Sequence, residues 1–568
     1  MTRRSFLAGA LVILAVGALL RTVWLTADPP SRPTVGVVWH DEGAWVHSAR
    51  NRVLWGAWRT DNWNPVFLAP VFTALEYAAF RAFGVGTWQA RTVPVASGLV
   101  ALGFLIAGMN AAAGRRAALV AGALLATNYV FAMWNRAALM ESTMTSLIVV
   151  SWAAYALAQR RPAWAPVAGI AAVLAFFTKA SAAFFVAALV IEAVTAFALA
   201  KRRAPMWALA GLAAAGVVIA VLFVRPYFSE YSFYTWQMSV VRKPDYSIRA
   251  LVDRASWLPI VQPFFTWMWP VMAAASVSIV GLASRWRSAT PAERLLVLWV
   301  VMGLLELIVH DSGNERRYVM FMPALVALAA VRLAGTRPAT VPEPAPAPAS
   351  ASHGRWLAMP LVLGLGYLVA GSALRIGFLD DIHLNHFHAV VRLSATVAVI
   401  VAGLVLVWWR ALVDWLRQGQ IPGMIGAAAI VVTVAGDLGH FSRWATDRQT
   451  LNYQASVAIG RLLAPGALVH GKLANGLALE NQIRPVFIGH AFGNYEDRLQ
   501  RDDVRYILTY VSPSVGFESQ RDSDMIQEIL DRYPQRRTVA TFAVNETGGP
   551  DRAALIEKVP GSDPRAPD

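Results

Sequence analysis

Long apolar runs recur along most of this chain and restrict it to one fold class. In a bilayer the backbone must satisfy its own hydrogen bonds, so repeated runs of about twenty apolar residues indicate a polytopic α-helical membrane protein. Trp residues often lie near the ends of these runs, as is usual at a membrane–water boundary. We accept about thirteen predicted spans, at residues 5–25, 92–111, 116–133, 138–158, 163–178, 181–199, 205–224, 266–284, 293–310, 318–334, 356–376, 388–409 and 422–440.

The first run follows Arg3-Arg4 and resembles a secretory signal. No clear small-residue cleavage site precedes the Asp28-Pro29-Pro30 turn, so we expect a retained signal anchor.

The charge distribution excludes a nucleic-acid-binding protein. The formal net charge is +15, but residues 441–568 carry a net charge of −1, so the excess lies between the apolar runs. Basic residues in such short connections indicate membrane topology. The chain also has no cysteine, which excludes thiolate catalysis, disulfides and cysteine-ligated metal.

One further apolar stretch, residues 66–83, contains Glu76 and Arg81 and is ambiguous as a span. If it lies at the outer interface and Arg3-Arg4 is cytoplasmic, all six later basic clusters fall on the cytoplasmic side, as the positive-inside rule requires. We therefore predict an interface helix at 66–83. The clusters are Arg115-Arg116, Arg160-Arg161, 201–203, Arg285/Arg287, Arg332/Arg337 and Arg410/Arg417.

These assignments predict two domains. Residues 1–440 form the transmembrane domain, with an outer loop at 26–91 and a Pro/Ala-rich cytoplasmic linker at 338–353. Residues 445–568 form a small soluble α/β domain outside the membrane, with helices predicted at 456–463 and 524–533. Its predicted strands are 467–470, 485–488, 504–510 and 538–544. The expected location is a bacterial cytoplasmic (inner) membrane.

Acidic and basic residues collect on the predicted outer face, where Lys and Arg should be scarce. Snorkelling and local pairing, such as Arg136 with Glu141, would account for each one separately. Together, they favour a site for an anionic ligand such as a lipid-linked phosphate, with a carboxylate that deprotonates an acceptor hydroxyl. The candidate catalytic residues are Asp41, Glu42 and Arg91, and the candidate substrate-binding residues are Asn64, Arg136, Glu141, Lys179, Arg225, Arg316, Arg317 and Tyr318.

The order of these motifs resembles the GT-C glycosyltransferases of the protein O-mannosyltransferase and lipid A aminoarabinose transferase group. Asp41-Glu42 follows the first apolar helix, and Asn64-Pro65, Gln89-Ala90-Arg91, Thr178-Lys179 and Arg317-Tyr318 follow in turn. The resemblance implies about thirteen transmembrane helices, an interface helix in the first loop and a polyprenyl-phosphate sugar donor.

Residue roles also follow from the resemblance. It implies that Asp41 is the general base, with Glu42 its neighbour, and that Lys179 and Arg317-Tyr318 lie near the donor lipid. Asn64 departs from the pattern, because the family usually has His or Lys before a Pro-Pro pair, and Asn supplies no charge.

Three functions remain open at this point. The leading hypothesis is a membrane hexosyl- or pentosyltransferase that moves a sugar from a polyprenyl-phosphate carrier to a lipid, glycan or protein acceptor. A transporter or flippase of a lipid-linked glycan would use mid-span carboxylates such as Glu192 and Glu306. A non-catalytic anchor for the tail would leave the first outer loop without a role.

The sequence contains no standard metal signature. The segment Asp380–His388 has ligand-type residues, but its spacing is typical of a polar loop and not of a zinc site. No cofactor is predicted, although a divalent metal could assist the reaction.

Overall fold

The computed structural model describes residues 1–30, 40–200, 203–236, 245–261, 267–310, 315–334, 351–377, 387–412, 423–489, 492–511, 520–546 and 549–559. Most of the predicted linker at 338–353 and of the polar loop at 380–388 lies outside these residues.

Each predicted apolar run overlaps a helix, but residues 116–133 are divided between two helices at Asn128, and 318–334 begins in a 3-10 turn. Among the described residues, seven helices are long and apolar enough to cross a membrane, which agrees with the predicted polytopic fold class. The count of about thirteen spans stays a prediction. The helices before the tail are α1 (Arg3–Thr22), α2 (His40–Trp45), α3 (His47–Trp55), α4 (Pro70–Phe83), α5 (Thr87–Ala112), α6 (Arg115–Thr127), α7 (Tyr129–Trp134), α8 (Met140–Ala158), α9 (Ala165–Thr178), α10 (Ala183–Ala200), α11 (Ala204–Ile219), α12 (Phe228–Trp236), α13 (Ile248–Val261), α14 (Trp269–Ser284), α15 (Pro291–His310), α16 (Met322–Leu333), α17 (Ala351–Gly377), α18 (Phe387–Val407) and α19 (Gly423–Thr446).

Short turns of tighter or wider helix interrupt this series. They are the 3-10 turns Pro65–Phe67, Pro162–Trp164, Ala180–Ala182 and Glu315–Phe321, and the π turn Ala220–Val224.

The predicted interface helix is shorter than expected. Residues 66–83 divide into a 3-10 turn and α4, because Pro70 begins the helix and Gly84, with φ of 82°, ends it. The 14 residues of α4 extend about 21 Å, less than the roughly 30 Å of a hydrocarbon core. Phe72, Glu76 and Phe80 lie on its buried face. This length is too short to cross the hydrocarbon core in a straight helix, and the position of α4 at the membrane surface stays a prediction.

Large aromatic side chains fill the core of the helical region. Trp134, Trp152 and Trp299 are fully buried. The Trp152 indole donates to the carbonyl of Ala292 at 3.1 Å, and the Trp299 indole donates to that of Met320 at 2.9 Å. These bonds satisfy the polar atoms that packing has removed from solvent.

In the residues of the tail that the structure describes, a five-stranded mixed sheet packs with three helices. The order of the strands is β2-β1-β5-β7-β6, in which β1 is parallel to β2 and β5, and β7 is antiparallel to β5 and β6. A separate pair, β3 and β4, is antiparallel. The elements are α20 (Leu451–Leu462), β1 (Leu468–His470), α21 (Lys472–Gly476), β2 (Arg484–Val486), β3 (Ile488–Gly489), β4 (Phe492–Gly493), β5 (Tyr506–Tyr510), α22 (Gln520–Arg532), β6 (Arg536–Glu546) and β7 (Gly549–Lys558).

Candidate functional site

Asp41 lies on the first turn of α2 and is paired with a cation from a distant part of the chain. Its Oδ2 accepts a hydrogen bond from Arg316 Nη1 at 2.7 Å, and His40 Nε2 lies 3.9 Å from Oδ1. Burial pushes the pKa of Asp41 up, but the charges of Arg316, His40 and Lys472 outweigh it and hold this pKa below its usual value. Because the side chain is also 24% exposed, it is an ionised carboxylate that a ligand can reach.

Arg316 connects Asp41 to a second carboxylate. Its Nε lies 3.3 Å from Oε1 of Glu141, which is almost fully buried in the first turn of α8, and the same Oε1 is paired with Lys179 Nζ. The 3-10 turn Glu315–Phe321 places Arg316 between these groups. We call Asp41, Glu141, Lys179 and Arg316 the Arg316 cluster.

Arg317 and Tyr318 follow in the same turn. Arg317 is close enough to repel the ammonium group of Lys179 electrostatically, and so belongs beside the Arg316 cluster. Tyr318 is fully buried, with its ring centroid 6.1 Å from that of Phe321, which fits a residue that supports the turn.

Glu42 and Arg91 form a separate ion pair that is almost fully buried. Arg91 donates from Nε to Glu42 Oε1 at 2.8 Å and from Nη2 to Oε2 at 2.7 Å, and the amide of Ala138 also donates to Oε1 at 2.7 Å. The remaining Arg91 Nη1 donates to the carbonyls of Leu25 and Ala27. These contacts join the first loop, α5 and the turn before α8.

The two adjacent acids therefore differ in environment. Successive side chains on a helix point about 100° apart, so Asp41 faces Arg316 and Glu42 faces Arg91. Asp41 is partly exposed and Glu42 is enclosed.

Three other candidate residues make their contacts away from the Arg316 cluster. Arg136 donates to the carbonyls of Leu20 and Trp24, and lies 4.6 Å from the ring centroid of Trp444. It does not form the pair with Glu141 that local spacing offered, since Glu141 is held by Lys179.

Asn64 is also enclosed, and its Oδ1 accepts a hydrogen bond from the hydroxyl of Ser48 at 2.9 Å. Arg225 is exposed just after the π turn.

The tail supplies residues that sequence reasoning did not find. Asn475 of α21 donates from Nδ2 to Nδ1 of His47 at 3.1 Å, and His47 Nε2 lies 2.8 Å from Oδ1 of Asp61. His47 and Asn475 are fully buried. His47 and Asp61 were visible as polar residues of the first loop, but their partner is more than 400 positions away and no local pattern identifies it.

The first loop and the tail are joined by an extended polar contact, which we call the loop–sheet interface. It is formed by Asp28 and residues 40–87 on one side and by residues 449–489 and 492–494 on the other. Buried Arg50 donates to the carbonyls of Ala478, Asn481 and Ile483 at 2.9–3.2 Å. Burial lowers the pKa of Arg50 to about 9, so the guanidinium stays protonated at neutral pH.

Carboxylates cap helices across this interface in both directions. Asp28 of the first loop accepts from the amides of Leu451 and Asn452 at the start of α20. Glu480 of the tail accepts from the amide of Thr87 at the start of α5, at 2.7 Å. Negative charge at a helix N-terminus is stabilising, so each region completes a helix of the other.

No group of three or more His, Asp or Glu side chains in the described part of the chain is placed to hold a metal ion. His383 and His386 lie outside the described residues.

Residues 68–229 match the family described as dolichyl-phosphate-mannose-protein mannosyltransferase. The overall fold is similar to crystal structures of ArnT from Cupriavidus metallidurans. The undecaprenyl phosphate-bound form has a TM-score of 0.50 and 18% identity, covering 99% of this chain and 98% of that one. The apo form has a TM-score of 0.54 and 18% identity, covering 97% of each chain.

An oligosaccharyltransferase of Archaeoglobus fulgidus is similar at a TM-score of 0.45 and 12% identity, covering 90% of this chain and 69% of that chain. No curated protein shows a significant sequence match. The sequence match and the ArnT folds confirm the resemblance to GT-C glycosyltransferases of the mannosyltransferase and aminoarabinose transferase group, and with it the fold class.

Proposed function

We propose that this protein is an inverting membrane glycosyltransferase that moves a sugar from a polyprenyl-phosphate carrier to an acceptor hydroxyl at the outer face, with Asp41 as general base. The observation that carries the proposal is the Arg316 cluster, in which a reachable, ionised carboxylate lies beside fixed cations. The similarity of the fold to an ArnT structure bound to undecaprenyl phosphate supports a lipid-phosphate carrier.

Asp41 can act as a base because its carboxylate is ionised and 24% exposed. Its Oδ2 accepts a hydrogen bond from Arg316, and its Oδ1 lies 3.9 Å from His40 Nε2. An acceptor hydroxyl that hydrogen-bonds to the carboxylate would lose its proton as its oxygen attacks the anomeric carbon. The bond from that carbon to the carrier phosphate breaks in the same displacement, which inverts the configuration.

The leaving phosphate needs positive charge as this bond breaks. Lys179, Arg316 and Arg317 supply it, because all three lie at helix ends or in the 3-10 turn beside Asp41. Glu141 holds Lys179 and Arg316 in place through the ion pairs already described. Tyr318 supports the turn, and Arg225 is an exposed cation available to the carrier or acceptor.

In this proposal, four of the candidate residues hold the site in shape and do not contact the substrate. They are Glu42, Arg91, Arg136 and Asn64. Each is buried, and each makes its described hydrogen bonds to protein groups. Arg91 has donors on all three guanidinium nitrogens engaged, so it positions α2 and reaches the phosphate only if these bonds break.

The transporter hypothesis receives less support. Its main mid-span candidate, Glu192, is fully buried and forms two 2.9 Å hydrogen bonds with Arg294. Glu306 lies 2.7 Å from His310 Nδ1 within a single helix. Each of these carboxylates is thus paired within the protein, and this pairing explains its presence in a helix without a transport pathway.

The test of the catalytic proposal uses the full-length chain in lipid nanodiscs. Asp41→Asn keeps the shape of the side chain and removes the base, so transfer should fall by about 10²–10⁴-fold with the fold intact. Asp253→Asn, an exposed aspartate on α13, is the matched control and should transfer normally. Normal transfer by Asp41→Asn refutes the role of Asp41. Mass spectrometry of glycans and glycolipids from cells with and without the active protein identifies sugar and acceptor.

The cations are tested by separate titrations. Lys179→Ala and Arg317→Ala should weaken the apparent affinity for the polyprenyl-phosphate sugar and leave acceptor affinity nearly unchanged, since the phosphate is charged before and during the reaction. The opposite pattern would assign these cations to an anionic acceptor.

Membrane orientation is the last part of the proposal. We place the first loop and the tail on the outer side of a bacterial cytoplasmic membrane. The chain has no cysteine, and Phe83 is 57% exposed at the end of α4. A cysteine at this position should react with an impermeant thiol reagent in intact cells. Reaction only after permeabilisation would reverse the orientation.

A further inference from the structure

We propose that α21 of the tail is a positioning element of the candidate site and that Lys472 keeps the Asp41 carboxylate ionised during transfer. The inference deepens the proposed function and assigns a role in it to the tail.

The backbones of α2 and α21 are in direct contact. A Cβ added to Gly43 would lie 1.8 Å from the carbonyl oxygen of Asn475, so only glycine allows the two helices to approach this closely. Gly43 is two residues after Asp41. The position of Asp41 therefore depends on where α21 lies.

A buried hydrogen bond fixes α21 at this contact. Asn475 donates to His47 of α3, and His47 is held in turn by Asp61. Lys472 precedes Asn475 by three residues, and side chains with this spacing lie on the same face of a helix. Lys472 therefore lies on the face of α21 that carries the Asn475 side chain, beside the first loop, in agreement with its electrostatic interaction with Asp41.

In the described part of the chain, the titratable groups close to Asp41 come from several elements. Arg316 comes from the 3-10 turn, His40 from α2 itself and Lys472 from α21, while Glu141 and Lys179 lie behind Arg316. Arg316 already divides its charge between two carboxylates. A phosphate that binds Arg316 weakens its hold on Asp41.

Lys472 is a positive charge near Asp41 that does not depend on Arg316. It reaches Asp41 from the tail, whereas the donor-binding cations come from the helical region, so donor binding leaves it in place. Its contribution is to keep the carboxylate deprotonated and able to accept the hydroxyl proton. It touches no substrate in this role and is a positioning residue.

The test compares Lys472→Met and Lys472→Arg with Arg461→Met, which removes an exposed charge from α20 as a matched control. Loss of a neighbouring positive charge should raise the pKa of Asp41. At pH values below the midpoint of the pH–rate profile, Lys472→Met should transfer about tenfold more slowly than the parent protein. Donor KM should stay constant, Lys472→Arg should restore the profile, and Arg461→Met should not change it.

A second readout is independent of transfer. Carbodiimide labelling of Asp41 in the full-length protein, measured by peptide mass spectrometry across pH, reports protonation of this carboxyl directly. The labelling midpoint should rise in Lys472→Met and return in Lys472→Arg. An unchanged midpoint and pH profile in a folded Lys472→Met overturns the inference. If Asp41→Asn also transfers normally, the proposed function fails, whereas an inactive Asp41→Asn confines the failure to Lys472.

Discussion

Replacing Glu42 by Gln should destabilise the protein much more than replacing Asp41 by Asn. Glu42 accepts three hydrogen bonds, two from Arg91 and one from the amide of Ala138, and it is 3% exposed. Glutamine keeps one acceptor oxygen and turns the other position into an N–H donor that faces a guanidinium N–H. The positive charge of Arg91 then stays buried without its counter-charge.

The magnitude follows from this geometry. Removing one partner of a buried ion pair costs about 3–5 kcal/mol, because the other charge is left uncompensated. Native proteins are stable by only about 5–15 kcal/mol, so Glu42→Gln should lose a large part of its folded yield. Asp41 is 24% exposed and water can replace part of its pairing with Arg316, so Asp41→Asn should cost about 1 kcal/mol or less.

The assay measures thermal unfolding of the purified full-length variants in the same detergent, and size-exclusion chromatography monitors the loss of folded protein. Glu42→Gln should unfold well below the parent protein, and Asp41→Asn close to it. The double variant Glu42→Leu/Arg91→Met removes both charges and should recover most of the loss. A parent-like Glu42→Gln, or a double variant no better than the single one, would refute the structural role of this pair.

The remaining predictions concern pH, a buried acid and a close contact. Since the pKa of Asp41 is lowered, its contribution to transfer should persist as the pH falls through the usual carboxyl range, and loss above pH 6 would refute this. Burial and a nearby carboxylate raise the pKa of Glu76 well above its usual value. Because the folded protein then holds a proton that the unfolded chain releases, the folded protein loses stability as the pH rises. Glu76→Gln should therefore raise the unfolding temperature at pH 8 and change it little at pH 5; equal shifts would contradict the assignment. Gly43→Ala should separate α2 from Asn475 and reduce both transfer and thermal stability, whereas Gly103→Ala, with open space around it, should match the parent.

The helical fold could be predicted because its determinants are local. Apolar runs of span length, Pro70 at the start of α4 and Gly84 at its end each mark an element within a few residues. Strand β7 was missed because it begins Gly549-Pro550-Asp551-Arg552, residue types that are depleted in strands.

The pairing inside the candidate site could not be predicted, because it is decided by packing between distant segments. The sequence placed Asp41 and Glu42 together, yet one pairs with Arg316 and the other with Arg91. Local spacing suggests Arg136 as the partner of Glu141. In the structure, Glu141 instead forms its ion pair with Lys179, at the end of α9. No local sequence pattern marks Lys472 as a neighbour of Asp41.

The loop–sheet interface has a consequence for the order of biosynthesis. The carbonyls that satisfy Arg50 are 428 to 433 positions later in the chain, and the amides capped by Asp28 are 423 and 424 positions later. At about 5–20 residues per second, a ribosome needs roughly 20–90 s to make the intervening chain. During that time the first loop holds Asp28 and Arg50 without their partners, so assembly of the loop–sheet interface must wait until this part of the tail has been made.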